Sequence, residues 1–342
     1  MASILKRQLD LRRVSADTYT VSWHADWTVG ATLQGGCVAA AIHLTAATHL
    51  TTDPELAAKK QPDILKMHLQ FLRQCGRRES TITVSVLRTG AATSTLQLQF
   101  SQKGQIKVLA IVTSINFDKP LGPSVPAAWT LLPPPKPKPD LKGCIAARRP
   151  DGNWLPARMS GEILNVTGNM LVLNPRGGFP VDGIHDAWYG FTADHQHERM
   201  DPTYLAFMAD IIPSMSDTLM RNRGLYDAHA FSEKLERWAD ENPGVPAEIT
   251  TTLAEALRAK TFNATVTLDI EFKRKVPAHG LEWVFTRTVT KMLEGGRMDL
   301  DITICNEKME LVCTAQQLVF VLEAERKFNG GRKGKAEGKA VL

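Results

Sequence analysis

The sequence predicts an α+β fold of two tandem modules, each a long helix wrapped by a curved antiparallel sheet. Three observations carry this. An Ala-rich helical stretch is followed by four strand-like runs, and the same order returns later in the chain. A proline-dense segment, "DKPLGPSVPAAWTLLPPPKPKPD" (Asp118 to Asp140), separates the two. Its prolines remove backbone donors and hold the chain extended, so it reads as a linker.

The first module opens with a short strand region, "YTVSWHADWTV", and a helix from Gly36 to about Leu50. The small residues Ala39, Ala40, Ala41, Ala46 and Ala47 suit a helix gripped closely by a sheet. "DILKMHLQFLR", "STITVSVLR", "STLQLQF" and "IKVLAIVTSINF" follow, alternating with period two and rich in β-branched residues. In the second module Asp201 can cap a helix and Pro202 suits its first position. Then come "TFNATVTLDIEFKR", "LEWVFTRTVTKM", "GRMDLDITIC" and "ELVCTAQQLVFVL". Phe71 and Arg73 recur as Phe272 and Arg274, an offset of 201; at the next hairpin, Ser101 against Cys305, the offset is 204. A nearly constant offset through a sheet indicates duplication, and helix-then-four-strands done twice is the pattern of a double hotdog.

The expected boundaries are an N-terminal hotdog at 1–117, a Pro-rich linker at 118–150 and a C-terminal hotdog at 151–323. A basic, disordered tail follows at 324–342. The second module carries an insertion at about 222–260. In it Phe231, Leu235 and Trp238 form one helical stripe, and "TTLAEALR" offers another turn. This segment reads as a helical insertion packed on the body or as a lid over a substrate tunnel.

Composition excludes several classes. The chain has 342 residues, 43% hydrophobic and 23% charged, as in an ordinary soluble protein. No run reaches the apolar length of a membrane span, and the charged N-terminus lacks a secretory apolar stretch. Five cysteines without a C-x-x-C pair argue against disulfide frameworks or zinc knuckles. A cytoplasmic setting is expected; the final "AVL" differs from the usual peroxisomal address, which leaves that compartment open. Of the net charge of +5, the tail carries +4, so the body is nearly neutral and no nucleic-acid surface is expected.

The candidate chemistry begins at "YLAFMADIIP". On one continuing helix, Leu205, Met208, Ile212, Met215 and Leu219 form the apolar face. Asp210 lies opposite, among Thr203, Ala206, Pro213, Ser214 and Asp217. Periodicity alone reads this as a solvated face, yet solvated faces normally carry Lys, Glu or Arg, and this one is small and short, which also fits a close neighbour. Thr265 lies on the polar face of an alternating strand with Asn263, Thr267, Asp269 and Glu271. Gln317 shares an apolar face with Cys313, Ala315 and Val319, where a buried amide needs partners. It reads equally as structural or functional. Gly35 and Gly36 open the first helix, where amides could face a carbonyl oxygen or a phosphate, or simply serve turn geometry. The nine histidines are scattered, His195 and His197 read as surface loop, and no metal site is expected. G-x-S-x-G, P-loop and Rossmann fingerprints are absent.

From Tyr19 to Leu322 the sequence resembles the thioesterase-like superfamily of double-hotdog proteins, best known through the acyl-CoA thioesterase II family, and is nearest its fungal-type members. The likeness rests on "GATLQGGCVAAAI", "MHLQFLR", "YLAFMAD", "NATVTLDIEFKR" and "GRMDLDITICNEKMELVCTAQQ" in that order. The resemblance implies a hydrolase without a cofactor, in which water attacks a thioester. An aspartate, a Ser or Thr and a glutamine hold that water; matched motif by motif, they fall on Asp210, Thr265 and Gln317. It implies an acyl-CoA or carrier-bound acyl or polyketide substrate, with Gly35 and Gly36 in substrate binding and a homodimer as a plausible assembly. The chain departs from the D-H-x-x-W-F-H-R type stretch of that branch: Leu268, Glu271 and Lys273 replace its histidine, tryptophan and later histidine. "FLRQC" also replaces "FLRP". CoA and a carrier protein therefore both stay open as carriers. The rival reading is a non-hydrolytic hotdog protein of specialised metabolism that binds, cyclises or dehydrates its ligand.

Overall fold

Strands of both modules merge into one sheet. A computed structural model describes residues 4–146, 149–179, 181–211, 213–223 and 227–324. Its first-half strands are β1 (Thr18–Val21), β2 (Asp63–Phe71), β3 (Ser80–Thr89), β4 (Ser94–Gln102) and β5 (Gln105–Ile115). Those of the second half are β6 (Trp154–Gly161), β7 (Met170–Pro175), β8 (Ile184–Phe191), β9 (Ala247–Thr251), β10 (Thr261–Phe272), β11 (Trp283–Val289), β12 (Arg297–Asn306) and β13 (Leu311–Glu323). They lie in the order β1-β3-β4-β5-β2-β10-β13-β12-β11-β8-β7-β6-β9, antiparallel except for β9 on β6. The halves join through β2 and β10, where Met67 faces Ile270, His68 faces Asp269 and Leu69 faces Leu268. The 201-residue offset exchanges the first and third of these pairs and turns the middle one onto itself. The pseudo-twofold axis therefore passes through His68 and Asp269, whose side chains hydrogen-bond at 3.1 Å.

The main helices are α1 (Ile4–Gln8), α2 (Gly35–Thr52), α3 (Pro202–Met208), α4 (Met215–Met220) and α5 (Ala228–Glu241). Helix α2 is buried on nearly every side, Cys37 to Ile42 being at most 1% exposed. Its alanines let α3 and the sheet come close, in the hotdog manner expected. The main core packs these two helices against the inward residues of the sheet, among them Met67, Leu98, Phe100, Leu268, Ile270 and Ile302.

Four sequence expectations change. The second helix is not continuous: α3 stops at Met208 and α4 restarts at Met215 with Ser214 as its cap. Pro213 cannot donate, and its ring clashes with the carbonyl four residues back. Strands β6 to β8 carry no clean strand signal in the sequence: β7 and β8 have stretches buried on both faces, as at Ala187 to Phe191, which erases period-two alternation. The proline segment is a packed strap: Leu131 and Leu141 enter a second core with Trp154, Trp188, Trp283 and Phe285. Arg287 donates to the Pro133 carbonyl (2.6 Å) and Trp154 to that of Pro137 (2.7 Å). Finally, the insertion contains strand β9 besides its helices. Leu235 packs on Leu155, Ala157 and Ala247, so α5 lies on the body; Trp238 stays at the rim. The basic tail expected at 324–342 falls, after Ala324, outside the described residues. Among the described residues no helix is long and apolar enough to cross a membrane.

Candidate active site

Helix α2 begins where the last turn of α3 ends. Gln34 caps α2, its Oε1 accepting from the amides of Gly36 (2.7 Å) and Cys37 (3.3 Å). That fixes the amide's orientation: Nε2 must point away from those two donors, and it reaches Asp210. It donates to the Asp210 backbone carbonyl (2.6 Å) and to carboxylate Oδ2. The Gly36 amide also donates to Oδ2, at 2.8 Å. From the sheet, Gln317 Nε2 donates to Oδ1 (2.9 Å) and to the Ala209 carbonyl (2.9 Å).

Asp210 is thus gripped by two elements, but from a helix end rather than mid-helix. It lies just past α3, held by a turn from its amide to the Phe207 carbonyl. The residue is partly exposed, yet burial of its carboxyl raises the pKa from 3.8 to about 6, against the lowering effect of the Gln317 and Gly36 hydrogen bonds. Desolvation outweighs the donors because none carries a full positive charge.

Close approach explains the glycines. A Cβ on Gly36 would stand 2.4 Å from the Phe207 carbonyl oxygen, and one on Gly35 would stand 2.8 Å from Asp210 Oδ2. With its amide given to Asp210 and Gln34, Gly36 has none left for a substrate. The Gly35 amide has no hydrogen-bond partner among the described residues.

Thr265 reaches this side through a bulge. Strand β10 pairs Thr265 with Val319 but Thr267 with Leu318, so Val266 is the extra residue. The strict alternation read from sequence breaks there, and Thr265 shares the face of Val319, Gln317 and Leu268 instead of the outer polar one. Its neighbours on that face tie to the Asp210 segment from either side. Asn263 hydrogen-bonds Ser214 (3.2 Å) and Ser216 (2.8 Å), while Leu268 lies opposite Gln317. Thr265 is half-buried, and its hydroxyl makes no hydrogen bond to a described residue.

Gln34 is the functional candidate that sequence reasoning missed. Its signal was visible only in hindsight: a polar residue directly before Gly35-Gly36 at a helix start is a cap position, although Gln is not a preferred cap. His195 and His197 lie around a short turn, His195 against Thr192 and His197 near Glu198.

Comparison with known proteins places the whole chain in a family. The acyl-CoA thioesterase N-terminal domain matches residues 23–115, and the acyl-CoA thioesterase C-terminal domain matches residues 142–321. The chain belongs to the acyl-CoA thioesterase family. As a member it is a thioester hydrolase. The thioesterase is 23% identical to the thioesterase-like protein TwmA of Talaromyces wortmannii, over 97% of this chain and 95% of that one. In structure it is similar to a hot dog protein from Alicyclobacillus acidocaldarius (15% identity, TM-score 0.64, 94% and 98% of the two chains). It is also similar to the acyl-CoA thioesterase II TesB2 of Mycobacterium marinum (18%, TM-score 0.56, 93% and 97%).

Proposed function

We propose that the thioesterase hydrolyses an acyl thioester, on CoA or a carrier protein, by water that Asp210 activates. The observation that carries this is the unequal use of the Asp210 carboxylate. Oδ2 accepts from both Gln34 and Gly36, whereas among the described residues Oδ1 accepts from Gln317 alone. Oδ1 therefore keeps a lone pair for a water proton. Thr265, turned to the same face by its bulge, and the Gln317 side chain orient that water.

As the water oxygen attacks the thioester carbonyl, its proton passes to Oδ1 and the C=O electrons move onto oxygen. The Gly35 amide, at the positive end of α2, is the donor aimed at that charge. Collapse expels the thiolate, and the proton held on Asp210 returns to it. No acyl-enzyme is needed, since a positioned water and a base suffice for so electrophilic a carbonyl.

Asp210→Asn is the test. It is expected to lower kcat for acyl-CoA hydrolysis by roughly 10²–10⁴-fold with the far-UV spectrum and Tm near wild type. A rate within twofold of wild type would reject Asp210 as the base.

A further inference from the structure

We propose that Arg73, Arg77, Arg78 and Lys103 bind the phosphate groups of coenzyme A at the mouth of the Asp210 site. This deepens the hydrolase reading and rests on it for the identity of the carrier. The four cations sit on two loops, 72–79 and the β4–β5 hairpin, all exposed. The loops are clamped together: Gln102 exchanges hydrogen bonds with the Gly76 amide (3.0 Å) and carbonyl (2.8 Å). The same loop is bound to the segment that leads into Gln34, through Arg77 N to Ala31 O (2.9 Å) and Leu33 N to Cys75 O (3.0 Å). Phe71, where the loop starts, lies against Gly35. The cations therefore border the approach to the Gly35 amide.

None of the four meets a carboxylate among the described residues; the Arg73 side chain donates to the Ile106 carbonyl. Glu79, the one acidic residue of the loop, lies on the same exposed stretch and forms no ion pair with them among the described residues. Exposed lone cations are common, but the matching loop of the second half differs. There Lys273 pairs with Glu271, Arg274 with Glu310 and Lys275 with Asp118. Arg274 is the 201-residue counterpart of Arg73, so duplication kept the cation and only one copy kept a partner. Arginine forks suit phosphate oxygens. A cluster confined to two clamped loops fits a compact polyanion of about four charges, as three phosphates provide, better than the extended acidic surface of a carrier protein.

The test compares the same acyl group on CoA, on pantetheine and on an acyl carrier protein. In the wild type, the ratio of kcat/KM for acyl-CoA over acyl-pantetheine is expected to fall as salt rises. Arg77→Glu with Arg78→Glu is expected to lower that ratio about tenfold or more, and to weaken CoA binding measured by calorimetry. Because the readout is a ratio, a partly unfolded variant does not imitate the effect. A ratio insensitive to both salt and charge reversal overturns the proposal. So does a loss confined to the carrier-protein substrate. Weakened CoA binding together with an unaffected Asp210→Asn rate would reject the base and leave the phosphate site standing.

Discussion

The two helix crossings of this molecule are built alike and equipped differently. An offset of 167 relates Gln34 to Asp201, both helix caps, Gly36 to Thr203, and His43 to Asp210. At one crossing Asp210 meets the Gly36 amide; at the other His43 Nδ1 meets the Thr203 hydroxyl at 3.0 Å. The sheets correspond as closely. Gln317 lies opposite Leu268 as Val112 lies opposite Met67, and Thr265 opposite Val319 as Ile64 opposite Ser114. Even the bulge is repeated, at Leu65 in β2 and Val266 in β10. The second crossing therefore has the backbone of a site with His, Val and Ile where the first has Asp, Gln and Thr. Its mouth is closed too: Lys6 of α1 pairs with Asp201 (2.8 Å), Glu198 accepts from the Ile4 amide (2.8 Å), and Leu5 and Leu9 are fully buried. Architecture survives duplication because backbone packing fixes it. Side-chain chemistry does not, because, on the proposed mechanism, one working site relieves the other of any need to keep it.

After loss of Asp210 itself, the most damaging change should be the one that makes the first crossing resemble the second. Gln317→Val, copying Val112, removes the donor to Oδ1 and leaves the Ala209 carbonyl without its partner. We expect kcat to fall about 10²-fold and stability by about 1–3 kcal/mol for the unpaired buried acceptor. Steady-state kinetics and denaturant titration would read both. A fully active Gln317→Val enzyme would mean that the difference between the crossings is not catalytic.

A subtler graft exchanges the caps. With its pKa at about 6, Asp210 must ionise to act as a base, so kcat/KM should rise with pH and level off above that value. Gln34→Asp, copying Asp201, still caps α2 but sets a second carboxylate beside Oδ2. Like charge disfavours ionisation, and the acid limb should move up by about one unit, which is about fivefold in rate at pH 6 and about tenfold well below it. An unmoved limb would break the assignment of that limb to Asp210. The stability of the folded state follows the same sign. Because its folded pKa lies above the unfolded one, Asp210 favours folding below about pH 4 and loses that contribution as pH rises to about 6.

How much of this was legible in the sequence depends on which force left a mark there. Half-buried strands such as β4, with Leu96, Leu98 and Phe100 inward, wrote their period plainly. Duplication showed as a constant offset because insertions are hard to place inside a sheet. Asp210 and Gln317 stood out as polar groups on apolar elements, a costly choice unless partners exist. Thr265 came only from resemblance, since its face depends on a bulge that alternation cannot reveal. Gln34 stayed hidden because its role is set by a residue 176 positions away. The strap likewise needed the outer face of β8 and β11 to be known before Leu131 and Leu141 had anything to cover.

The smallest expected effect comes from the second crossing itself. His43 is buried, its Nε2 has no partner among the described residues, and desolvation pulls its pKa from 6.5 to about 4. A folded pKa below the unfolded one means that His43 enters the fold neutral. Its contribution is fully present above about pH 6.5 and is lost as pH falls toward 4, by up to about 3 kcal/mol. His43→Leu fills the space against Phe272 with an apolar group and should leave stability above pH 7 within about 1 kcal/mol of wild type. At pH 5 it should be the more stable protein, by equilibrium unfolding, because it has no imidazole to protonate on unfolding. Buried His185 and His49 push the wild-type curve the same way and remain in the variant, so only the difference between the two curves reports His43. Turnover should stay within twofold, since nothing at the second crossing touches Asp210. A large loss of activity with the fold intact would mean that the two crossings work as one site, and that the asymmetry between them is division of labour rather than decay.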